Sequence, residues 1–260
     1  MKEHLTPVSA NYSRIAIVTG ASSGIGEATA KKFVAAGYGV IGNARNAAKL
    51  ELLREELGPA FYSVPGDLAD LTLIPKLFEA ALAYFGKSAD IVIANAGRGL
   101  GGSVKDADLS QFEAVLQLNV TSTLALLQQA ARYMVSMQQT LFPERAADIV
   151  VLGSVVGRHV SPFSAVYGAT KFAIHALAEG LRREIGPQGV RVSLVEPGIV
   201  LSGFQDAAGY SEELVQNFTE NFGPLFYGAE VAETIHYIVN QPPHVHISDI
   251  MIRPTRQAYP

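Results

Sequence analysis

Tyr167 and Lys171 stand four residues apart, and Ser154 lies thirteen residues before the tyrosine. Side chains at i and i+4 of a helix share a face, so the phenol and the ammonium are neighbours. A free tyrosine has a pKa of about 10, too high to cycle a proton near neutrality. An ammonium about 4 Å away, at an effective dielectric near 20, contributes roughly 4 kcal/mol toward the phenolate. At about 1.36 kcal/mol per unit, that is up to roughly 3 pKa units. The pair therefore predicts a tyrosine that exchanges a proton with a carbonyl or an alcohol, with Ser154 hydrogen-bonding the substrate oxygen. Taken alone, Y-x-x-x-K is also an ordinary surface pairing. Its weight here comes from Ser154, placed just after an apolar run, and from a glycine stretch upstream.

That stretch, Thr19-Gly20-Ala21-Ser22-Ser23-Gly24-Ile25-Gly26, directly follows Ile15-Ala16-Ile17-Val18. A strand passing through a glycine turn into a helix leaves backbone N–H groups pointing at an anion. The spacing is G-x-x-x-G-x-G rather than G-x-G-x-x-G. The demands are shared: one glycine for the turn, one for close approach of a pyrophosphate, one for helix–strand packing. Gly20, Ser22, Ser23, Gly24, Ile25 and Gly26 are thus expected around a dinucleotide, a tight turn without ligand being the competing reading. An NAD site usually carries an acid about 20 residues further on. Here Gly42-Asn43-Ala44-Arg45-Asn46 has none, and Arg45 suits a 2′-phosphate. This predicts NADP(H) in preference to NAD(H), although a solvated strand-end arginine would look the same. Asp67 and Leu68 follow the third apolar run, where an adenine would lie; Asp67 is equally good as a helix cap. Asn95, Ala96 and Gly97 follow the fourth run, at a strand end where such sheets bind ligands. A plain turn is the alternative there.

Strands are predicted at Arg14–Val18, Gly39–Asn43, Phe61–Val64, Asp90–Ala94, Asp148–Leu152, Val190–Val195 and His246–Ile252. Most are continuous apolar runs, as expected of parallel strands buried on both faces. A helix is predicted after the glycine turn, ended by Gly37, and others over Ala47–Leu57, Leu73–Tyr84, Leu109–Gln138, Phe163–Ile185 and Ala229–Val239. Alternation of this kind predicts an α/β fold, a Rossmann-type doubly wound parallel sheet of about seven strands with helices on both faces. The whole chain, 1–260, reads as a single domain, with residues 1–13 a loose tail. Leu201–Tyr227 is rich in glycine and aromatics, and reads as a partly irregular substrate lid.

The chain has a formal net charge of −4, which disfavours a polyanion partner, and contains no cysteine, which excludes disulfides and thiol catalysis. No apolar stretch approaches the roughly 18–20 residues of a membrane span. With no apolar segment at Met1–Pro7, a soluble cytoplasmic protein is expected. His244 and His246 share a strand face but lack a third ligand, so no metal is expected. Arg98, Arg158 and His159 lie where they could approach a substrate, with an ordinary loop side chain the favoured reading for each.

Taken in order, these motifs resemble those of the short-chain dehydrogenase/reductase family, from about Arg14 to the C-terminus. The family's T-G-x-x-x-G-x-G matches Thr19 to Gly26, its N-A-G matches Asn95 to Gly97, and its catalytic Asn matches Asn119. Its Ser and Y-x-x-x-K match Ser154, Tyr167 and Lys171, and its P-G matches Pro197-Gly198. Ala94 stands where the family often has a second Asn, and Ser202 where Thr is common. The resemblance implies Tyr167 as general acid/base and Ser154 as the residue orienting the carbonyl. It implies that Lys171 holds the nicotinamide ribose and that Asn119 supports a water-linked proton path. Pro197, Gly198, Val200 and Ser202 would then lie by the nicotinamide, and the enzyme would be a homotetramer or homodimer. The C-terminal stretch Ile247–Gln257 is similar to the subgroup of serine/3-hydroxy-acid dehydrogenases, sulfoacetaldehyde reductases and clavulanate dehydrogenase. An NADP(H)-dependent exchange between a small polar carbonyl compound and its alcohol is the implied activity. A 3-ketoacyl-carrier reductase and a non-catalytic NADP(H)-sensing protein are the alternatives.

Overall fold

Seven parallel strands form one sheet in the order β3-β2-β1-β4-β5-β6-β9 in a computed structural model that describes residues 11–162 and 164–258. They are β1 Ile15–Thr19, β2 Gly39–Ala44, β3 Phe61–Pro65, β4 Ile91–Ala94, β5 Ala147–Leu152, β6 Val190–Pro197 and β9 Asp249–Ile252. Successive side chains of a strand point to opposite faces, so a strand covered on both sides must be apolar throughout. In β1, Ile15 and Ile17 enter one core, Ala16 and Val18 the other.

The first core is closed by α3 (Leu73–Phe85), α5 (Thr123–Leu141) and α6 (Ala165–Ile185), through Leu77, Phe78, Leu126, Met134 and Ile174. The second is closed by α1 (Gly24–Ala35), α2 (Ala47–Leu57) and α9 (Gly228–Val239), through Phe33, Leu50, Val231 and Ile235. This is the single Rossmann-type domain expected. The strand order reverses between β1 and β4, and a ligand crevice opens outside the carboxyl ends at such a point.

The opposite edge of the sheet is held by charge. Asp148 is paired with Arg191 at 2.7 Å and with Arg14 at 2.8 Å, and Arg14 also holds Asp90 at 3.0 Å. Arg191 further donates to the carbonyls of Gln241, Pro242 and Val245. Four strand beginnings are thus tied together, with the carboxyl ends left to the site.

Three expectations change. The helix expected over Leu109–Gln138 is α4 (Leu109–Leu116) and α5, separated by a π-helical turn at Gln117–Ser122. The lid segment is mostly regular: β7 (Val200–Leu201) pairs with β8 (Phe226–Tyr227), and between them lie α7 (Phe204–Ala207) and α8 (Glu212–Phe222). The last strand begins at Asp249 rather than His246. Of the expected tail, residues 1–10 lie outside the described residues. Tyr12 packs edge-on against Phe85, and Ser13 N–H donates to the Gly37 carbonyl. Phe163, expected to open α6, also lies outside the described residues. No helix among the described residues is long and apolar enough to cross a membrane.

Candidate active site

The β1–α1 turn is laced to the end of β4. Thr19 Oγ1 donates to the Ile93 carbonyl at 3.1 Å and accepts from the Asn95 and Ala96 N–H groups, each at 3.0 Å. Asn95 Nδ2 donates to the Thr19 carbonyl at 2.8 Å. The polar Asn95-Ala96-Gly97 segment is therefore more than a plain turn: it closes the crevice floor. Gly20 and Gly24 have φ of +69° and +54°, a region that L side chains rarely adopt. A Cβ at Gly26 would strike the Gly20 carbonyl and come within 2.6 Å of Asn95 Nδ2. The turn thus requires glycines at these places, and α1 begins directly behind it with Ser23 as its cap residue.

A cleft of about 310 Å³ runs along this edge. It is lined by Gly20 and Ser22 to Ile25 of the turn, then Asn43 to Asn46, Gly66 to Leu68, and Asn95 to Gly97. Leu118 and the stretch Ser202 to Phe204 close it. Arg45 is exposed at the cleft edge, next to Asn46, whose side chain caps α2 by accepting from Lys49 N–H at 3.0 Å. Asp67 turns inward on its own loop, accepting from Ala69 N–H at 2.9 Å, while Leu68 is buried. Pro197, Gly198 and Val200 are outside the lining. Gly198 N–H donates to the Ile252 carbonyl at 2.7 Å, Ile199 N–H donates to buried Gln257 Oε1 at 2.9 Å, and Val200 belongs to β7.

Beside the cleft the catalytic candidates form one array. Asn119 sits in the π-helical turn with its amide turned inward. It accepts from Arg98 N–H at 2.8 Å, and donates to the Arg98 carbonyl at 2.8 Å and to Thr170 Oγ1 at 3.1 Å. Lys171 Nζ donates to the Leu152 carbonyl at 2.7 Å and stands 5.7 Å from the centre of the Tyr167 ring. A Cβ at Gly97 would lie 3.4 Å from Asn119 Oδ1 and 3.9 Å from Lys171 Nζ, so this array opens onto the cleft. Ser154 Oγ accepts from Val156 N–H at 3.4 Å.

Burial also acts on the electrostatics of this pair. Burial raises the Tyr167 pKa above its ordinary value; Tyr210 adds to the rise, and a hydrogen bond with Ser154 opposes it. Burial acts on Lys171 as well, lowering it to about 8. Burial thus favours the neutral phenol at Tyr167.

Leu100, Val155 and Val156 wall the tyrosine, and the Phe204 ring covers it at 5.6 Å between centres. From Phe204 the aromatic contacts continue through Tyr210 and Phe218 to Phe222. Arg158 is not turned to this space: it pairs with buried Glu196 and with Asp249 at 3.0 Å. Arg98 ties its guanidinium to Gln111 of α4, and His159 is exposed. His246 Nε2 lies 2.9 Å from the Val192 carbonyl, and His244 is exposed. Thr19, Asn43, His175 and Gln257 were not legible as site residues. Only Thr19, at a strand end, and His175, one turn after Lys171, carried any local signal.

The family model for short chain dehydrogenase matches residues 14–213. The chain belongs to this family of oxidoreductases. Serine 3-dehydrogenase of Rhizobium radiobacter is 32% identical over 248 residues, covering 94% of each chain. A structure described as the closed form of serine dehydrogenase complexed with NADP+ superposes with a TM-score of 0.85 at 26% identity, over 94% of this chain and 96% of that one. The 3-ketoacyl-(acyl-carrier-protein) reductase of Brucella melitensis complexed with NADH shares the fold, with a TM-score of 0.84 at 22% identity over 94% and 98%. Within the family, the chain is of the serine dehydrogenase-like kind.

Proposed function

We propose that this short-chain dehydrogenase is an NADP(H)-dependent oxidoreductase that interconverts a small polar carbonyl compound and its alcohol. The observation that carries the reading is the joining of buried Asn119, Tyr167 and Lys171 with half-buried Ser154 in one array beside the cleft. A sensor would need the cleft but not the array.

The cleft residues fit a dinucleotide. The glycine turn leaves room that a Cβ would fill, and the start of α1 favours an anion there. Arg45 and the N-terminus of α2, which has no acid in its first turn, suit a 2′-phosphate. Gly20, Ser22 to Gly26, Asp67, Leu68, Asn95 to Gly97 and Ser202 would hold the cofactor, which supplies the hydride when bound. Pro197, Gly198 and Val200 would lie by the nicotinamide.

Tyr167 is the general acid in reduction. It enters the reaction protonated, since burial favours the neutral phenol. Ser154 holds the carbonyl oxygen, and Lys171 and Asn119 relay a replacement proton. Excluding water strengthens each of these interactions, and Phe204 and Tyr210, lying over the tyrosine, supply that exclusion. They make 201–227 a lid and keep the substrate small. The likeness to serine 3-dehydrogenase supports a 3-hydroxy acid or a related aldehyde or ketone. The protein would work in the cytoplasm as a dimer or tetramer, and exposed Leu124 of α5 and Phe172 of α6 offer the apolar face for assembly.

The test is purified protein assayed against small carbonyls and alcohols with each cofactor. Turnover with NADPH, and with at least one 3-hydroxy acid or small aldehyde, is expected. No turnover, with intact cofactor binding, would leave the sensing reading.

A further inference from the structure

Ser154 stands where the sheet stops. The β5 ladder ends as Gly153 N–H donates to the Val195 carbonyl at 2.8 Å. The next N–H, that of Ser154, has left the sheet and still requires an acceptor. It finds His175 Nε2 at 3.2 Å. His175 follows Lys171 by one helical turn and Tyr167 by two, so the three share a face of α6. Each engages the end of β5. Tyr167 hydrogen-bonds the Ser154 side chain, Lys171 holds the Leu152 carbonyl, and His175 accepts from the Ser154 backbone.

The imidazole lies in a slot made by two glycines. A Cβ at Gly153 would come within 2.9 Å of His175 Cδ2, and one at Gly157 within 2.5 Å of both Cε1 and Nε2. The far side of the ring is also furnished. His175 Nδ1 is 3.9 Å from Glu196 Oε2, and the fully buried Glu196 is fixed by Arg158, which bridges on to Asp249.

We infer that His175 is a positioning residue for Ser154: its neutral ring accepts the Ser154 N–H through Nε2 and turns Nδ1–H toward Glu196, fixing the serine that orients the substrate oxygen. The inference rests on the oxidoreductase reading for its consequence in turnover, but not for the hydrogen bond itself. Burial, Lys171 and Arg158 bring His175 down to about 4, so Nε2 is an acceptor throughout the working range. A protonated ring would set N–H against N–H. Accepting the Ser154 N–H at Nε2 leaves the ring proton on Nδ1, 3.9 Å from the Glu196 carboxylate.

The test compares His175→Ala, which removes the acceptor without adding bulk, with His175→Gln, whose Oε1 reaches the same place. Misplacing a reacting group by about 1 Å can cost about 100-fold in rate. His175→Ala should therefore lower kcat by about 10- to 100-fold, leave NADPH affinity unchanged, and be largely rescued by His175→Gln. In a Ser154→Ala background the same substitution should change kcat by less than about two-fold, because it acts through the serine hydroxyl. Ser154 amide exchange, followed by NMR, needs no turnover: it should be slow in the wild type and His175→Gln, and fast in His175→Ala. Unchanged exchange in His175→Ala overturns the inference whether or not a carbonyl substrate is found. So does an equal loss of kcat with and without Ser154. A wild type that turns over nothing but shows the exchange pattern refutes the oxidoreductase reading and leaves the backbone assignment standing.

Discussion

Replacing Arg45 with Ala should separate the two nicotinamide cofactors. Arg45 directly follows β2 at the cleft edge, and its neighbours Ala44 and Asn46 bring no carboxylate. A hydrogen bond to a charged group is worth about 1.5–3 kcal/mol. Arg45 is exposed, so solvent screens it and the lower part of that range applies. A loss of about 1–2 kcal/mol corresponds to about 5- to 30-fold in Kd. The start of α2 stays in place, capped by Asn46, so some attraction for the 2′-phosphate remains. NADH, which lacks that phosphate, should bind both proteins equally. Titration of intrinsic fluorescence or calorimetry with each cofactor measures the four constants. The arginine's contribution should also fade with salt, since the Debye length falls to about 3 Å at 1 M. Equal losses for NADPH and NADH, or a wild type that prefers NADH, would refute the assignment of Arg45 to the 2′-phosphate.

Asp148→Ala should leave Arg14 and Arg191 without their shared carboxylate; breaking a buried pair in this way costs about 3–5 kcal/mol, read as a lower urea midpoint, while NADPH affinity of the folded fraction is unchanged. Stability should also respond to His175. Its folded pKa of about 4 lies below the ordinary 6.5, so between those values the unfolded chain binds more protons. Stability is therefore lost as pH falls from about 6.5 to about 4, and urea midpoints of His175→Gln should fall less steeply over this window than those of the wild type. For the lid, α8 contains no fully buried residue, so its amides should exchange faster than those of α1 and slow when cofactor and a substrate analogue bind together. Slow exchange in the free protein that ligands leave unchanged would make 201–227 ordinary folded structure.

What could be read from sequence follows the range of the forces. Strands such as Ile15–Thr19 were legible because burial on both faces demands unbroken apolar runs. The glycine turn was legible because its backbone shape tolerates few alternatives. The break at Gln117–Ser122 was not, since those residues are compatible with a continuous helix. The π-helical turn coincides with the inward amide of Asn119, whose partners Arg98 and Thr170 are distant in sequence. Whether Arg158 faced a substrate or served the fold was open in the sequence, because its partner Glu196 lies thirty-eight residues on. His175 and Gln257 likewise show their contacts only in three dimensions. Local spacing suggested that Lys171 would lower the Tyr167 pKa; burial, a property of the whole fold and invisible in the spacing, pushes it the other way. The lid's glycines suggested irregularity, but Ser211 caps α8 by accepting from Leu214 N–H, and β7 with β8 closes its base.

Tyr167→Phe is the most direct measurement. The ring still packs against Phe204, Val155 and Val156, and only the hydroxyl is removed, with its proton and its hydrogen bond to Ser154. General acid–base catalysis is worth about 10²–10⁴ in rate. The kcat for carbonyl reduction with NADPH should fall by that amount, with the cofactor Kd within about two-fold of wild type, since phenylalanine keeps the buried shape. A variant that binds NADPH normally and keeps most of the wild-type kcat would contradict the proton-transfer role of Tyr167.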